Sequence, residues 1–102
     1  MNLLQVDFPM NGPFGEEMSQ GFKDLAHDIA SEEGLVWKIW TENEKTKEAG
    51  GIYLFADEAH AMRYLEKHTK RLEGFGITGI RGKIFEVNES LSLIDRAPLQ
   101  KV

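Results

Sequence analysis

The segment Trp37–Phe55, WKIWTENEKTKEAGGIYLF, constrains the fold more than any other part of the sequence. It reads as two aromatic strands joined by a charged loop and a Gly-Gly step. Side chains alternate across a strand with period two. Trp37 and Trp40 therefore point to opposite faces, while Tyr53 and Phe55 share one face and Ile52 and Leu54 share the other. A hairpin that is apolar on both sides leaves neither side in water. One face calls for helices from its own chain, and the other calls for a second covering.

The flanking sequence supplies the helices. Leu3–Phe8 reads as a first strand, stopped by Pro9 and the turn at Asn11-Gly12-Pro13. A helix then starts between Pro13 and Glu16 and runs towards Gly34. Its stripe of Phe14, Met18, Phe22, Leu25 and Ile29 recurs at helical spacing. Gly21 inside that stripe suggests close packing. Leu35–Asn43 is the second strand, Glu42–Glu48 the charged connection and Ala49–Ala56 the third strand. Asp57 suits the N-cap of a second helix reaching about Glu73, with Met62, Leu65, Thr69 and Leu72 as its stripe. Ile77–Val87 is the fourth strand. A short helix over Glu89–Arg96, stopped by Pro98, makes a C-terminal extension from about residue 89.

The order is β-α-β-β-α-β, so the expected fold is α+β and ferredoxin-like. A four-stranded antiparallel sheet carries both helices on one face, in a single domain spanning residues 1–102. Leu35, Trp37 and Ile39, wholly apolar, are assigned to the helix side. Trp40, Tyr53, Phe55, Phe85 and Val87 are assigned to the open face. Such an apolar surface is rarely left bare, and a two-fold axis with a second copy is the common way to cover it. The expected assembly is a homodimer, a dimeric α/β barrel with a cavity in or beside each sheet.

Composition removes several functions. A net charge of −5 argues against a phosphate-backbone binder. RNA recognition of the kind sharing this element order fails too, because Gly50-Gly51-Ile52-Tyr53-Leu54-Phe55 lacks the basic residue and aromatic spacing it requires. The sequence has no cysteine, which excludes disulfides and thiolate chemistry. Three dispersed histidines make no metal-binding spacing, so no metal is expected. No apolar run approaches the ~20 residues of a membrane span, and the N-terminus lacks the features of a signal peptide. The cytoplasm is the expected location.

Four stretches carry a family resemblance: Asn11-Gly12-Pro13-Phe14-Gly15, Gly34–Glu42, Glu48–Phe55 and Tyr64-Leu65-Glu66-Lys67-His68-Thr69. On these the chain resembles the YdhR-like mono-oxygenase family of the dimeric α/β-barrel superfamily, over essentially its whole length. The resemblance implies a ferredoxin-like protomer, a tight homodimer and a small apolar pocket in each protomer. It further implies oxidation of an electron-rich aromatic, of hydroquinone or phenol type, without metal, flavin or haem. Haem-degrading members of the wider superfamily use an Asn, a Trp and a His. Here the first strand carries Asp7 and the third has no Trp, which argues against haem.

Cofactor-free oxygenation needs a proton acceptor, a dry aromatic slot and a group that steadies an oxyanion. His68 is the candidate base by residue type; the competing reading is a helix-flank histidine bonded to a neighbour. His60 and His27 read as surface groups. Tyr53 is a candidate proton relay or oxyanion donor. Trp40, Phe55 and Phe85 are candidate slot residues, against the alternative that they fill a dimer core. Lys38, with Arg81 and Lys83, could steady a phenolate. Cross-strand pairing with Asp7, Glu42 or Glu86 is the preferred reading for all three. The main alternative function is a non-catalytic dimer that sequesters a small hydrophobic ligand.

Overall fold

The computed structural model describes residues 1–100. Four strands, β1 (Asn2–Pro9), β2 (Leu35–Asn43), β3 (Glu48–Phe55) and β4 (Arg81–Glu86), form one antiparallel sheet in the order β2-β3-β1-β4. Between β1 and β2 lie α1 (Gly15–Gly21) and α2 (Lys23–Ala30). Helix α3 (Glu58–Gly74) joins β3 to β4, and α4 (Glu89–Ile94) follows the sheet. This is the α+β ferredoxin-like arrangement. Among the described residues no helix is long and apolar enough to cross a membrane.

The first helical stretch is two helices rather than one. Phe22, between them, has φ −110° and ψ 16°, yet the i to i−4 bonds continue through it to Met18 and from Ala26. Nothing lies near the place a side chain on Gly21 would occupy, so close packing does not account for this glycine. The bend brings the Phe22 ring over Trp40, 6.1 Å between centroids and nearly parallel. The Glu42 carboxylate accepts from the Gly15 backbone N–H at 2.7 Å and ties the start of α1 to β2.

Helix α3 begins where the Asp57 side chain accepts from the His60 N–H. It ends in a Schellman turn: the Gly76 N–H donates to Glu73 and the Ile77 N–H to Leu72, with Gly76 at φ +86°. That turn carries the chain away from the helix axis, so β4 starts at Arg81 and not at Ile77. Three charge pairs, Lys67–Glu32, Arg71–Asp28 and Arg63–Glu33, bind α3 to α2 and the segment after it.

The phasing of β2 and β3 is the reverse of the sequence expectation. Leu4, Val6 and Phe8 of β1 and Ala49, Tyr53 and Phe55 of β3 are buried with Met18, Ile29, Ala61, Tyr64 and Leu72 in the core under the helices. The register sets Lys38 opposite Tyr53 and Trp40 opposite Gly51, so these two also face the helices. A bulge between Leu35 and Trp37 explains the reversal in β2, whereas β3 pairs with β1 without interruption and simply turns its aromatic residues, Tyr53 and Phe55, under the helices. The bulge leaves Leu35 in the helix-side core, opposite Phe55, and turns Trp37 and Ile39 to the other face, breaking the strict alternation.

The open face is layered. Trp37, Leu54, Leu3 and Phe85 lie side by side across all four strands, and Ile39, Ile52, Gln5 and Lys83 form the next row. The third row is polar: Thr41, Gly50, Asp7 and Arg81. There Arg81 bonds both Asp7 and Glu48. The C-terminal extension returns to the apolar row, where the Trp37 indole N–H donates to the Pro98 carbonyl at 2.7 Å. Ile39 and Phe85 remain about half exposed, and Leu91, Leu93 and Ile94 of α4 are more exposed still.

Candidate active site

The most enclosed cavity lies between helices and sheet. It is not on the open face, where the aromatic residues were expected to form it. Met18, Phe22 and Leu25 line it from α1 and α2, Trp40 and Lys38 from β2, Tyr53 from β3 and His68 and Leu72 from α3. Its free volume is small, about 40 Å³. Met10, Phe22, Phe75 and Ile77 also line a second, open depression beside it, walled by Pro9–Gly12 and Gly76–Thr78. The cavity is thus a narrow slot whose shared wall continues into a wider groove.

Among the described residues its lining is apolar except for four side chains: Lys38, Trp40, Tyr53 and His68. All four are candidates that residue type and strand or helix position had already picked out, and the fold brings them together. Phe55 is fully buried behind them, 5.5 Å from the Tyr64 ring, and does not line the slot. Phe85 is on the far side of the sheet. Of the other cations, Arg81 takes the cross-strand pairing expected of it, whereas Lys38 does not.

Lys38 owes its position to Gly51. A side chain on Gly51 would put its Cβ 2.6 Å from Lys38 Cε, so the bare backbone there is what lets the lysine stem cross β3. The ammonium nitrogen rests 3.5 Å from the centre of the Trp40 ring and 4.7 Å from that of Tyr53. Such cation–π contacts stabilise the charge only modestly. Burial first, and the charge of Arg71 second, push the Lys38 pKa down to about 7. Near neutrality, then, the amine can both hold and release a proton.

His68 is held from behind. Arg71 approaches His68 Nδ1 with Nη2 at 3.0 Å and Nε at 3.3 Å, and donates through Nη1 to Asp28 at 2.8 Å. A guanidinium only donates, so Nδ1 is an acceptor and the neutral ring carries its proton on Nε2. Burial, with Lys38 and Arg71 adding like charge, pushes the His68 pKa down to about 3. The ring is therefore neutral at physiological pH. It stacks on Tyr64 at 5.0 Å and meets Tyr53 edge-on at 6.3 Å.

The Tyr64 hydroxyl donates to that of Tyr53 at 3.3 Å. Burial raises both phenol pKa values, Tyr64 to about 12 and Tyr53 further still. Tyr53 stays a phenol and keeps its own proton to donate. Sequence reasoning gave no role at the site to Tyr64 or Arg71. The one available signal for Arg71 was its spacing, three residues beyond His68 on the same helix. His60 stands outside the slot, with Nδ1 2.8 Å from Asp57.

A family described as "Putative mono-oxygenase ydhR" matches residues 3–98. No curated protein matches the chain. Among solved structures, one similar fold is a "putative antibiotic biosynthesis monooxygenase" from Deinococcus radiodurans. It is 12% identical, with a TM-score of 0.58 over 86% of this chain and 93% of that one. Another is SnoaB, a cofactor-independent oxygenase from Streptomyces nogalater, in a mutant form. It is 17% identical, with a TM-score of 0.57 over 85% of this chain and 93% of that one. At these identities the two structures share the fold, while the family match spans nearly the whole sequence. This chain is a member of the ydhR mono-oxygenase family.

Proposed function

We propose that this protein is a cofactor-independent mono-oxygenase that oxidises a small electron-rich aromatic, of hydroquinone or phenol type, with O₂, and that it works as a homodimer. The observation that carries the reading is the apolar slot whose few polar side chains are Lys38, Tyr53 and His68 beside Trp40. A dry slot favours electron transfer from a substrate anion to O₂, because water would otherwise solvate and quiet that anion. In such a reaction a ring CH₂, or the CH and O–H of a phenol, loses two hydrogens and becomes carbonyl with one oxygen atom of O₂, while the second atom leaves with those hydrogens as water, so the substrate supplies all the electrons. Tyr53 O–H and His68 Nε2–H supply donors for the oxyanion, as a neutral histidine does when it polarises oxygen rather than removing a proton. Trp40 gives the ring a stacking wall and Lys38 a cation; Phe55 and Phe85 act from outside the slot, through its packing and the dimer face.

The apolar row on the open face, together with Ile39 and the outer side of α4, supports the homodimer reading. SnoaB, of similar fold, is described as a cofactor-independent oxygenase; transferring that chemistry here is analogy, which the site itself has to support.

One observation favours the alternative of a ligand-sequestering protein: the Nδ1 lone pair of His68 is already engaged by Arg71, so this ring is not a free base. Oxygen uptake by the purified protein with a panel of hydroquinones and anthrols separates the two. Saturable consumption, lowered at least about tenfold in Tyr53→Phe and His68→Ala variants, supports oxygenation. Tight binding with no oxygen consumed across the panel supports sequestration.

A further inference from the structure

We propose that Lys38 meets the acidic oxygen of the ligand and takes its proton, so that the slot selects aromatic or enolic ligands that bind as monoanions. The inference rests on reading the slot as the substrate site, and it names the ligand class that site accepts.

The charge arrangement carries it. Among the described residues no acidic side chain lines the slot, although the chain as a whole is net negative. Lys38 lies against two aromatic faces with no carboxylate among those residues to hold its charge. A lysine buried for structural reasons is normally paired, and Arg81 shows the paired alternative elsewhere in the same sheet. The groups facing Lys38 are Tyr53 from β3 and His68 and Arg71 from α3; α1 and α2 contribute only Met18, Phe22 and Leu25 to the lining. Arg71 is already engaged by Asp28, His68 is neutral and Tyr53 remains a phenol. Among the described residues Lys38 is therefore the one group in the slot that exchanges a proton near neutrality.

The step is a simple transfer. The ligand O–H bond breaks, its electron pair stays on oxygen, and an N–H bond forms on Lys38 Nζ. An uncharged amine and an uncharged ligand become an ammonium and an anion, paired in the slot, with nothing oxidised or reduced. The phenol or enol is left as the electron-rich anion.

The test uses 4-nitrophenol, whose anion absorbs at longer wavelength than the phenol, titrated against wild type, Lys38→Arg and Lys38→Met between pH 6 and 9. Anion binding to a protonated Lys38 makes wild-type affinity fall about tenfold per pH unit once the free amine deprotonates. Lys38→Arg keeps its charge and shows no such fall. Lys38→Met binds the anion at least tenfold more weakly at pH 7. Wild-type affinity that is flat between pH 7 and 9, no binding of the anion, or equal anion binding by Lys38→Met overturns the proposal. The arms separate it from oxygenation itself. This pH linkage without oxygen uptake removes oxygenation and keeps the inference, whereas full turnover in Lys38→Met removes the inference and keeps oxygenation.

Discussion

Arg71 and His68 form a fixed pair on one face of α3: the guanidinium sits 3.0 Å from Nδ1 and leaves the neutral imidazole its proton on Nε2. Hydrogen bonds to charged groups contribute roughly 1.5–3 kcal/mol. Replacing Arg71 with Met should lower kcat about tenfold or more by freeing the ring to rotate. It should also raise the His68 pKa, since one of the charges that depress it is gone. A ¹³C or ¹⁵N NMR titration of the histidine rings reads the second effect directly.

The His68 pKa also sets a stability profile. The folded value, about 3, lies below the ordinary 6.5, so the fold favours the neutral ring. The unfolded chain binds the proton more readily between those values. Stability from this group is complete above about pH 6.5 and is lost as pH falls towards 3. Thermal midpoints measured from pH 7 to 4 should decline less steeply in His68→Gln than in wild type.

Lys38 has the same sign with a different window. Its folded pKa, about 7, is below the ordinary 10.5. The buried amine costs stability wherever the unfolded lysine is charged, and that cost disappears as pH rises from 7 to 10.5. Lys38→Met should therefore be more stable than wild type at pH 6, by about 1–3 kcal/mol, with the difference shrinking by pH 10. Urea midpoints at the two pH values check this.

Gly51→Ala probes the same lysine without touching it. The new methyl falls on Lys38 Cε and must drive the stem off β3. The variant should fold, with a modest loss of about 1–3 kcal/mol. It should lose the pH-linked anion binding of the wild type. Circular dichroism and the 4-nitrophenol titration report the two outcomes separately.

The open face makes its own prediction. Ile39 and Phe85, both about half exposed, sit on opposite outer strands of the same face. If the proposed homodimer pairs through this face, a glutamate at either position should split it into protomers by burying an unpaired charge in the interface. Analytical ultracentrifugation at micromolar concentration distinguishes the two states.

The sequence made the fold legible, but not which side of the sheet did what. Element order and the Asp57 cap could be read directly because hydrophobic period and capping chemistry are local. The even and odd residues of β1 also sort correctly. The error in β2 arose from one bulged residue after Leu35, because period-two reading has no way to see an insertion in pairing. That inversion moved Trp40 from the open face to the helix side, where Tyr53 of β3 also lies because its strand buries the Tyr53 and Phe55 face. It also hid the reason a lysine stands between two tryptophans in the strand. The break at Phe22 was invisible for a similar reason: the apolar stripe continues through it, and the bend answers to Trp40, which is distant in sequence. Lys38, Tyr53 and His68 were picked by residue type. Their roles required the neighbours Arg71, Tyr64 and Gly51, whose importance depends on contacts that no spacing encodes.

Oxygenation in the slot without a cofactor is tested most directly by the mass of the product formed from an accepted hydroquinone or anthrol under ¹⁸O₂. Wild-type protein should give a product carrying one ¹⁸O atom, and His68→Ala should give at least about tenfold less of it. A product without label, or labelled product formed equally by the variant, would contradict oxygenation at this site.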